Sequence, residues 1–305
     1  DVGAPILNSV VAANGKVLVG AMDGAVYALD AAGGSLVWKS QLSWRLGFST
    51  APVIAEGKVM LGGRNGVFYA LSPETGEVLW QYDVNAPILQ TAAWNSGRVF
   101  FGAMDMYVYA LNGVDGSLSW QSDEIEGMAF KDYWPVVYGG KVLVRAMAQG
   151  TNFHALDEDT GEENITLLQF DGKTMNGATT PPAIDRDGYL VVPVPRPDAY
   201  GSCWGRLDLA TQQVVDVLGG CGNSDENENV SSANNLIIGL HTIDVPGAGA
   251  CGFYDLDHHT WTELSSGTDF QPRYNTQGGG GNPPSVSNGM IYHISLQYLT
   301  AWRAN

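Results

Sequence analysis

Apolar and polar positions alternate along this chain in short bursts, with no helical period. Runs such as Lys16 to Gly20 (KVLVG) and Ala25 to Leu29 (AVYAL) are bounded by Asp, Asn and Gly, the pattern of strands separated by tight turns. Over the first 42 residues the pattern predicts four strands: an apolar segment at Asn8 to Ala13, then Lys16 to Gly20, Ala25 to Leu29 and Ser35 to Leu42. Met22-Asp23-Gly24 joins the second strand to the third, and its Asp-Gly supplies the positive φ that a tight hairpin needs. A second turn at Asp30 to Gly34 leads into the fourth strand. The unit is therefore an antiparallel meander.

That unit recurs. Gly15 to Leu42 (GKVLVGAMDGAVYALDAAGGSLVWKSQL) returns as Gly57 to Asp83 (GKVMLGGRNGVFYALSPETGEVLWQYD) and as Gly97 to Asp123 (GRVFFGAMDMYVYALNGVDGSLSWQSD). A period of about 40 residues with several short strands per period is the signature of a propeller blade. Later copies drift. Blade four has strands at Gly140 to Val144 and Phe153 to Asp157, with Ile165 where the earlier copies carry tryptophan. Blade five is placed on Gly188 to Pro193 and Trp204 to Leu209, blade six on Asn235 to Leu240 and Gly252 to Asp257, and blade seven on Met290 to Ser295 and Tyr298 to Arg303. The expectation is one all-β domain over 1–305, a seven-bladed β-propeller with blades near 4–42, 48–84, 86–123, 129–170, 176–219, 228–266 and 280–305.

Two features of the repeat bear on how blades join. Gly34-x-x-x-Trp38, Gly76-x-x-x-Trp80 and Gly116-x-x-x-Trp120 place a large ring at one fixed point of each outer strand. Burying such a ring against the next blade removes roughly 150–250 Å² from water. At the ends, Asp1 to Leu7 aligns with Asp83 to Leu89, and Asn305 follows a third strand. Blade seven is thus expected to lack its fourth strand, leaving an edge for a preceding segment or for another subunit's strand.

The VYALD third strand, the D-x-x-x-G turn and the G-x-x-x-W outer strand resemble the pyrroloquinoline quinone-type repeat. This repeat occurs in quinoprotein dehydrogenases and in the outer-membrane assembly lipoprotein of the BamB kind. The resemblance implies a propeller and leaves the cofactor open. Those dehydrogenases are longer, normally have eight blades and carry a vicinal Cys-Cys pair near the quinone, which this chain lacks. No motif supplies the Glu, Asn and Asp set of a calcium-held quinone. No bound quinone is expected.

Charge narrows the partners. Acidic residues outnumber basic ones 32 to 15, for a formal charge of -17, which disfavours nucleic acid and anionic membrane by long-range repulsion. No run of 18 apolar residues is present, so no membrane-spanning helix is expected. Cys203, Cys221 and Cys251 form no CxxC spacing; one disulfide among them, its pairing open, fits an extracellular, cell-surface or periplasmic protein. The sequons Asn164-Ile165-Thr166 and Asn229-Val230-Ser231 are compatible with export.

Candidate chemistry lies in segments that depart from the repeat, in connections expected at a channel mouth. Trp44 with Arg45, Asp132 with Trp134, and Arg273 with Tyr274 each join an aromatic face to a charge, which suits peptide or carbohydrate recognition by stacking plus hydrogen bonds. Asp225, Glu226 and Asn227 offer hard oxygens, a candidate calcium site without the regular DxDxDG loop. His258-His259 falls in a turn, His154 in a third strand, and His241 and His293 at second strands. No nucleophile, base or cofactor constellation emerges. The expectation is an exported, non-catalytic binding or assembly module that engages a protein partner or itself, with no cofactor. The alternative is an extracellular enzyme with its site at the channel mouth, either a carbohydrate-active lyase or hydrolase or a minimal quinoprotein.

Overall fold

In the computed structural model the described residues are 2–130, 134–146, 152–167, 169–170, 173–174, 181–195, 202–222, 230–242, 249–264, 285–294 and 299–303. They form strands and turns, with no helix among them. Two compact units divide the chain, Asp1–Leu167 and Leu168–Asn305. Unit one holds four sheets of four antiparallel strands. They are β1 (Val11–Ala13), β2 (Lys16–Gly20), β3 (Ala25–Asp30) and β4 (Leu36–Gln41); β5 (Val53–Ala55), β6 (Lys58–Gly62), β7 (Val67–Leu71) and β8 (Val78–Asp83); β9 (Ala93–Asn95), β10 (Arg98–Gly102), β11 (Val108–Asn112) and β12 (Leu118–Gln121); and β13 (Val136–Tyr138), β14 (Lys141–Ala146), β15 (Asn152–Asp157) and β16 (Glu163–Leu167). Each sheet keeps sequence order, the meander that the hydrophobic pattern predicts.

Unit two opens with a short hairpin, β17 (Gln169–Phe170) with β18 (Lys173–Thr174), that the repeat does not foreshadow. Two four-stranded sheets follow: β19 (Ala183–Ile184), β20 (Leu190–Pro195), β21 (Ser202–Asp208) and β22 (Gln213–Gly222); then β23 (Ser231–Ala233), β24 (Leu236–Thr242), β25 (Gly249–Asp255) and β26 (Thr260–Glu263). The last sheet has three strands, β27 (Ser285–Ser287), β28 (Met290–Ile294) and β29 (Leu299–Arg303). The fold class is all-β, a seven-bladed propeller whose seventh blade has three strands among the described residues.

The G-x-x-x-W pair acts between blades. Trp38, Trp80 and Trp120 are buried, and their indole N–H groups donate to Pro73, Gly113 and Glu158 carbonyls of the following blade at 3.0, 3.3 and 2.9 Å. Each ring lies on the next blade's turn glycine. A Cβ at Gly76, Gly116 or Gly161 would come within 2.4–2.6 Å of the facing side chains, and all three backbones have φ near +75°. Glycine is thus required twice over, for conformation and for close approach.

One regularity was invisible in the sequence. The ladder between third and outer strand skips a residue at the same place in five blades, leaving Val37, Leu79, Ser119, Asn164 and Val215 bulged. In the first three blades the bulge directly precedes the packing tryptophan. A bulge re-aims the next side chain and disrupts the edge ladder, so these outer strands are poor templates for an added strand.

In blade six the repeat misplaces the turn. Asp255, two residues before the expected Asp257, ends β25, and its carboxylate accepts the Asp257 and His258 N–H groups at 2.8 and 3.3 Å. His259, with φ +54°, takes the place of Gly34 and donates its N–H to the Asp255 carbonyl at 2.8 Å. A non-glycine residue tolerates that conformation because the ring is exposed and the turn is hydrogen-bonded.

Candidate functional site

In unit one the connections from blade one to two and from blade two to three are tied to the hairpins on both sides, and the connection leaving blade three is tied to that blade's hairpin. Leu42 and Ser43 donate their N–H groups to the Gly24 carbonyl at 2.9 and 3.0 Å, and Arg64 donates its own to Gly47 at 3.1 Å. The arrangement repeats where Val84 donates to Gly66, Met104 to Pro87, and Ile125 to Met106, at 2.8–3.0 Å. Hairpins and connections therefore form one hydrogen-bonded layer, a firm platform for side chains that leave it.

Trp44 leaves it most. The ring is 86% exposed, with Arg45 exposed and Leu46 48% exposed beside it. The backbone beneath is held on every side. Gln41 Nε2 donates to the Asp23 and Ser43 carbonyls, both at 2.7 Å, while Ser43 Oγ accepts the Leu46 N–H at 3.2 Å. Phe48 then anchors the segment, fully buried on Gly20. Fixing the backbone of an exposed aromatic lowers the entropy lost when it binds. Met128 and Trp134, 65% and 37% exposed, leave the connection into blade four, so exposed apolar groups recur on connections.

In the hairpins, partly buried polar side chains are hydrogen-bonded to buried tyrosines. Tyr27 and Tyr109 donate their hydroxyls to Asp23 and Asp105 at 2.6 and 2.7 Å, and the Asn65 amide donates to Tyr69 at 2.7 Å. Burial pushes the Tyr109 phenol well above its ordinary range, and the adjacent Asp105 carboxylate pushes it the same way. It holds its proton at neutral pH and acts as a strut.

Of the sequence candidates, Trp44 and Arg45 share one loop, and Trp134 stands on another connection. Asp132, Arg273, Tyr274, Asp225, Glu226 and Asn227 lie outside the described residues. Cys203 is buried and disulfide-bonded; Cys221 and Cys251 fall on β22 and β25, with side chains outside those described. Among the described residues no group of three His, Cys, Asp or Glu side chains is placed to hold a metal ion. His154 is buried with Nδ1 2.9 Å from Glu163 Oε1.

His258 and His259 are exposed in their turn, and His258 Nδ1 lies 2.8 Å from Asp255 Oδ2. That contact holds the Asp255 carboxyl well below its usual range and raises the His258 imidazole above 6.5. The raised group stabilises the fold fully below the unfolded pKa and loses that contribution as pH rises through the folded one; the depressed Asp255 contributes above its unfolded pKa. The stability difference between the wild type and His258→Gln is therefore expected to be largest between roughly pH 4 and 6.5 and to shrink above. Denaturant melts of both proteins across pH check this; a difference independent of pH would refute it.

Sequence reasoning missed a charged cluster in blade five. Arg206 stands in the register of Ala28, Ala70 and Ala110, a position those blades fill with buried alanine. Its guanidinium donates to Asp185 through Nε at 2.6 Å and to Asp187 at 2.5 Å, and lies 4.7 Å from the centre of the Tyr189 ring. Asp216 occupies the register of the packing tryptophan, and Trp261 of blade six reaches back instead, donating to the Leu218 carbonyl at 2.6 Å. The signal available in the sequence was a charge at an all-alanine position.

The sequence matches the family described as outer membrane protein assembly factor BamB over residues 3–91 and 22–194. Among solved structures it resembles BamB from Moraxella catarrhalis, with 17% identity, a TM-score of 0.66 and coverage of 98% of this chain and 86% of that one. The computationally designed Ika8 protein gives 15% identity and 0.66, covering 99% and 84%. A quinohemoprotein alcohol dehydrogenase from Comamonas testosteroni gives 14% and 0.64, covering 93% of this chain and 62% of the longer enzyme. At these identities the likeness concerns fold. No curated protein matches the sequence.

Proposed function

The chain belongs to the family described as outer membrane protein assembly factor BamB, and from that membership we propose that it is a non-catalytic binding and assembly module of the cell envelope. The observation that carries the reading is a set of exposed large apolar side chains on the connections, apart from those that line outer strands, such as Leu36, Leu79 and Val217. Trp44, Leu46, Met128 and Trp134 stand on the connections between blades, in or beside a hydrogen-bonded layer. Tryptophan held out by a fixed backbone is the residue type that dominates protein interfaces.

Protein partners are the first expectation, and self-association the second. Strand addition would use β29. It is outermost in its sheet among the described residues, and its ladder to β28 runs without a shift from Met290↔Arg303 to Ile294↔Leu299. An even edge offers the aligned groups that the bulged outer strands do not. Size-exclusion chromatography with light scattering over a wide concentration range tests this: a constant monomer mass removes self-association.

The assembly reading is tested in the source cell. Loss of the chain is expected to lower the amount of folded β-barrel protein in the outer membrane, and restoring the wild type to recover it. A variant with Trp44→Ala should fold within about 0.5 kcal/mol of the wild type, as exposed substitutions do, yet restore less. Unchanged barrel assembly without the chain would sink the proposal.

A further inference from the structure

The cations of unit one are unequally used. Lys16 pairs with Glu74, Lys39 with Asp23, Arg98 with Glu158 and Asp159, and Lys141 with Asp157. In a chain of net charge -17, carboxylate partners are plentiful. Arg45 and Arg64 nevertheless make no ion pair or side-chain hydrogen bond among the described residues, and both belong to the same corner. The Arg64 N–H donates to the Gly47 carbonyl at 3.1 Å, two residues from Arg45. Between and beside them stand Trp44, 86% exposed, and Leu46, 48% exposed. Asp23, the carboxylate of the first blade's hairpin, is already committed to Tyr27 and Lys39.

We propose that Trp44, Leu46, Arg45 and Arg64 form a docking surface for an acidic polypeptide segment, one that presents Asp or Glu next to an apolar residue. The proposal rests on the assembly-module reading and names the chemistry of its partner. Arginine takes a carboxylate in a bidentate fork, with direction as well as strength. The indole and Leu46 supply apolar area for the neighbouring side chain. Complementary local charge sets register and on-rate while the rest of this acidic surface repels wrongly placed acidic partners. Tryptophan and arginine together are the residue types that carry most binding energy at protein interfaces.

The test pans a random dodecapeptide library displayed on phage against the intact chain and, in parallel, against Arg45→Glu/Arg64→Glu and Trp44→Ala. All three substitutions are exposed or half-buried, and a thermal melt checks that each protein folds. Peptides enriched by the wild type are expected to carry Asp or Glu beside Leu, Phe or Trp. A synthetic copy of the best one should bind the double charge reversal at least about tenfold more weakly, and weaken with added salt. Enrichment that is equal on the double variant overturns this surface while leaving protein docking elsewhere intact. Failure to enrich any peptide, enrichment of basic peptides, or stronger binding of heparin or anionic vesicles than of acidic peptide each overturns it too.

Discussion

Replacing Trp80 with alanine is expected to cost about 3–5 kcal/mol of stability, the range for removing a large buried aromatic. The ring is buried between blades two and three, its N–H is satisfied by Gly113 at 3.3 Å, and its face meets Phe68 at 6.1 Å between centres. Its removal leaves a void lined by elements of two blades, each fixed by its own ladder, so little collapse can fill it. Gly116→Ala is the companion. Its φ of +73° and a new Cβ 2.4 Å from the Trp80 ring predict a loss of about 1–3 kcal/mol from conformation plus the clash. Once the ring is gone the clash goes with it. The double variant should therefore lose less than the sum of the singles. Urea melts of all four proteins measure this, and strict additivity would show that ring and glycine do not act as one lock.

That lock explains why the first three blades were legible in the sequence. Gly and Trp are each demanded by backbone or volume, and the pairs recur at one spacing. The hairpins were legible for the same reason: Asp-Gly at 23–24 gives the positive φ of Gly24, +80°. The bulge was not legible, because any residue can occupy it, and Val37, Leu79, Ser119, Asn164 and Val215 share no chemistry. In blade six the expected third strand runs on to Asp257, yet β25 ends at Asp255 and the next residue, Leu256, is buried. Pattern alone could not weigh that.

The candidate site was half legible. Trp44 and Arg45 stood out because blade packing does not require them. Arg64 did not, since it sits inside the second repeat, where Asp23 and Asp105 occupy neighbouring places in the other copies; its part comes from the bond between its N–H and Gly47. Position in a motif thus concealed proximity in space.

Arg206 gives the second large effect. Arg206→Ala restores the residue that other blades carry, yet is expected to destabilise the protein by about 3–5 kcal/mol, the usual result of stripping the partner from a buried charge. Asp185 has no exposed side-chain surface and would keep two backbone donors, from Asp187 and Tyr189 at 2.9 Å, which places the loss toward the low end. Arg206→Lys keeps the charge but cannot reach both carboxylates with a planar fork, so its loss should fall between wild type and alanine. Neutralising the abandoned acid in Arg206→Ala/Asp185→Asn should recover part of the loss, because an amide is cheaper to bury than a carboxylate. Were Arg206→Ala alone to leave the urea midpoint unchanged, the cluster would be a surface ornament and blade five would be held by Trp261 and its apolar core. Recovery in the double variant would instead show that blade five exchanged the tryptophan lock for a charge lock, one that is stable only while both signs are present.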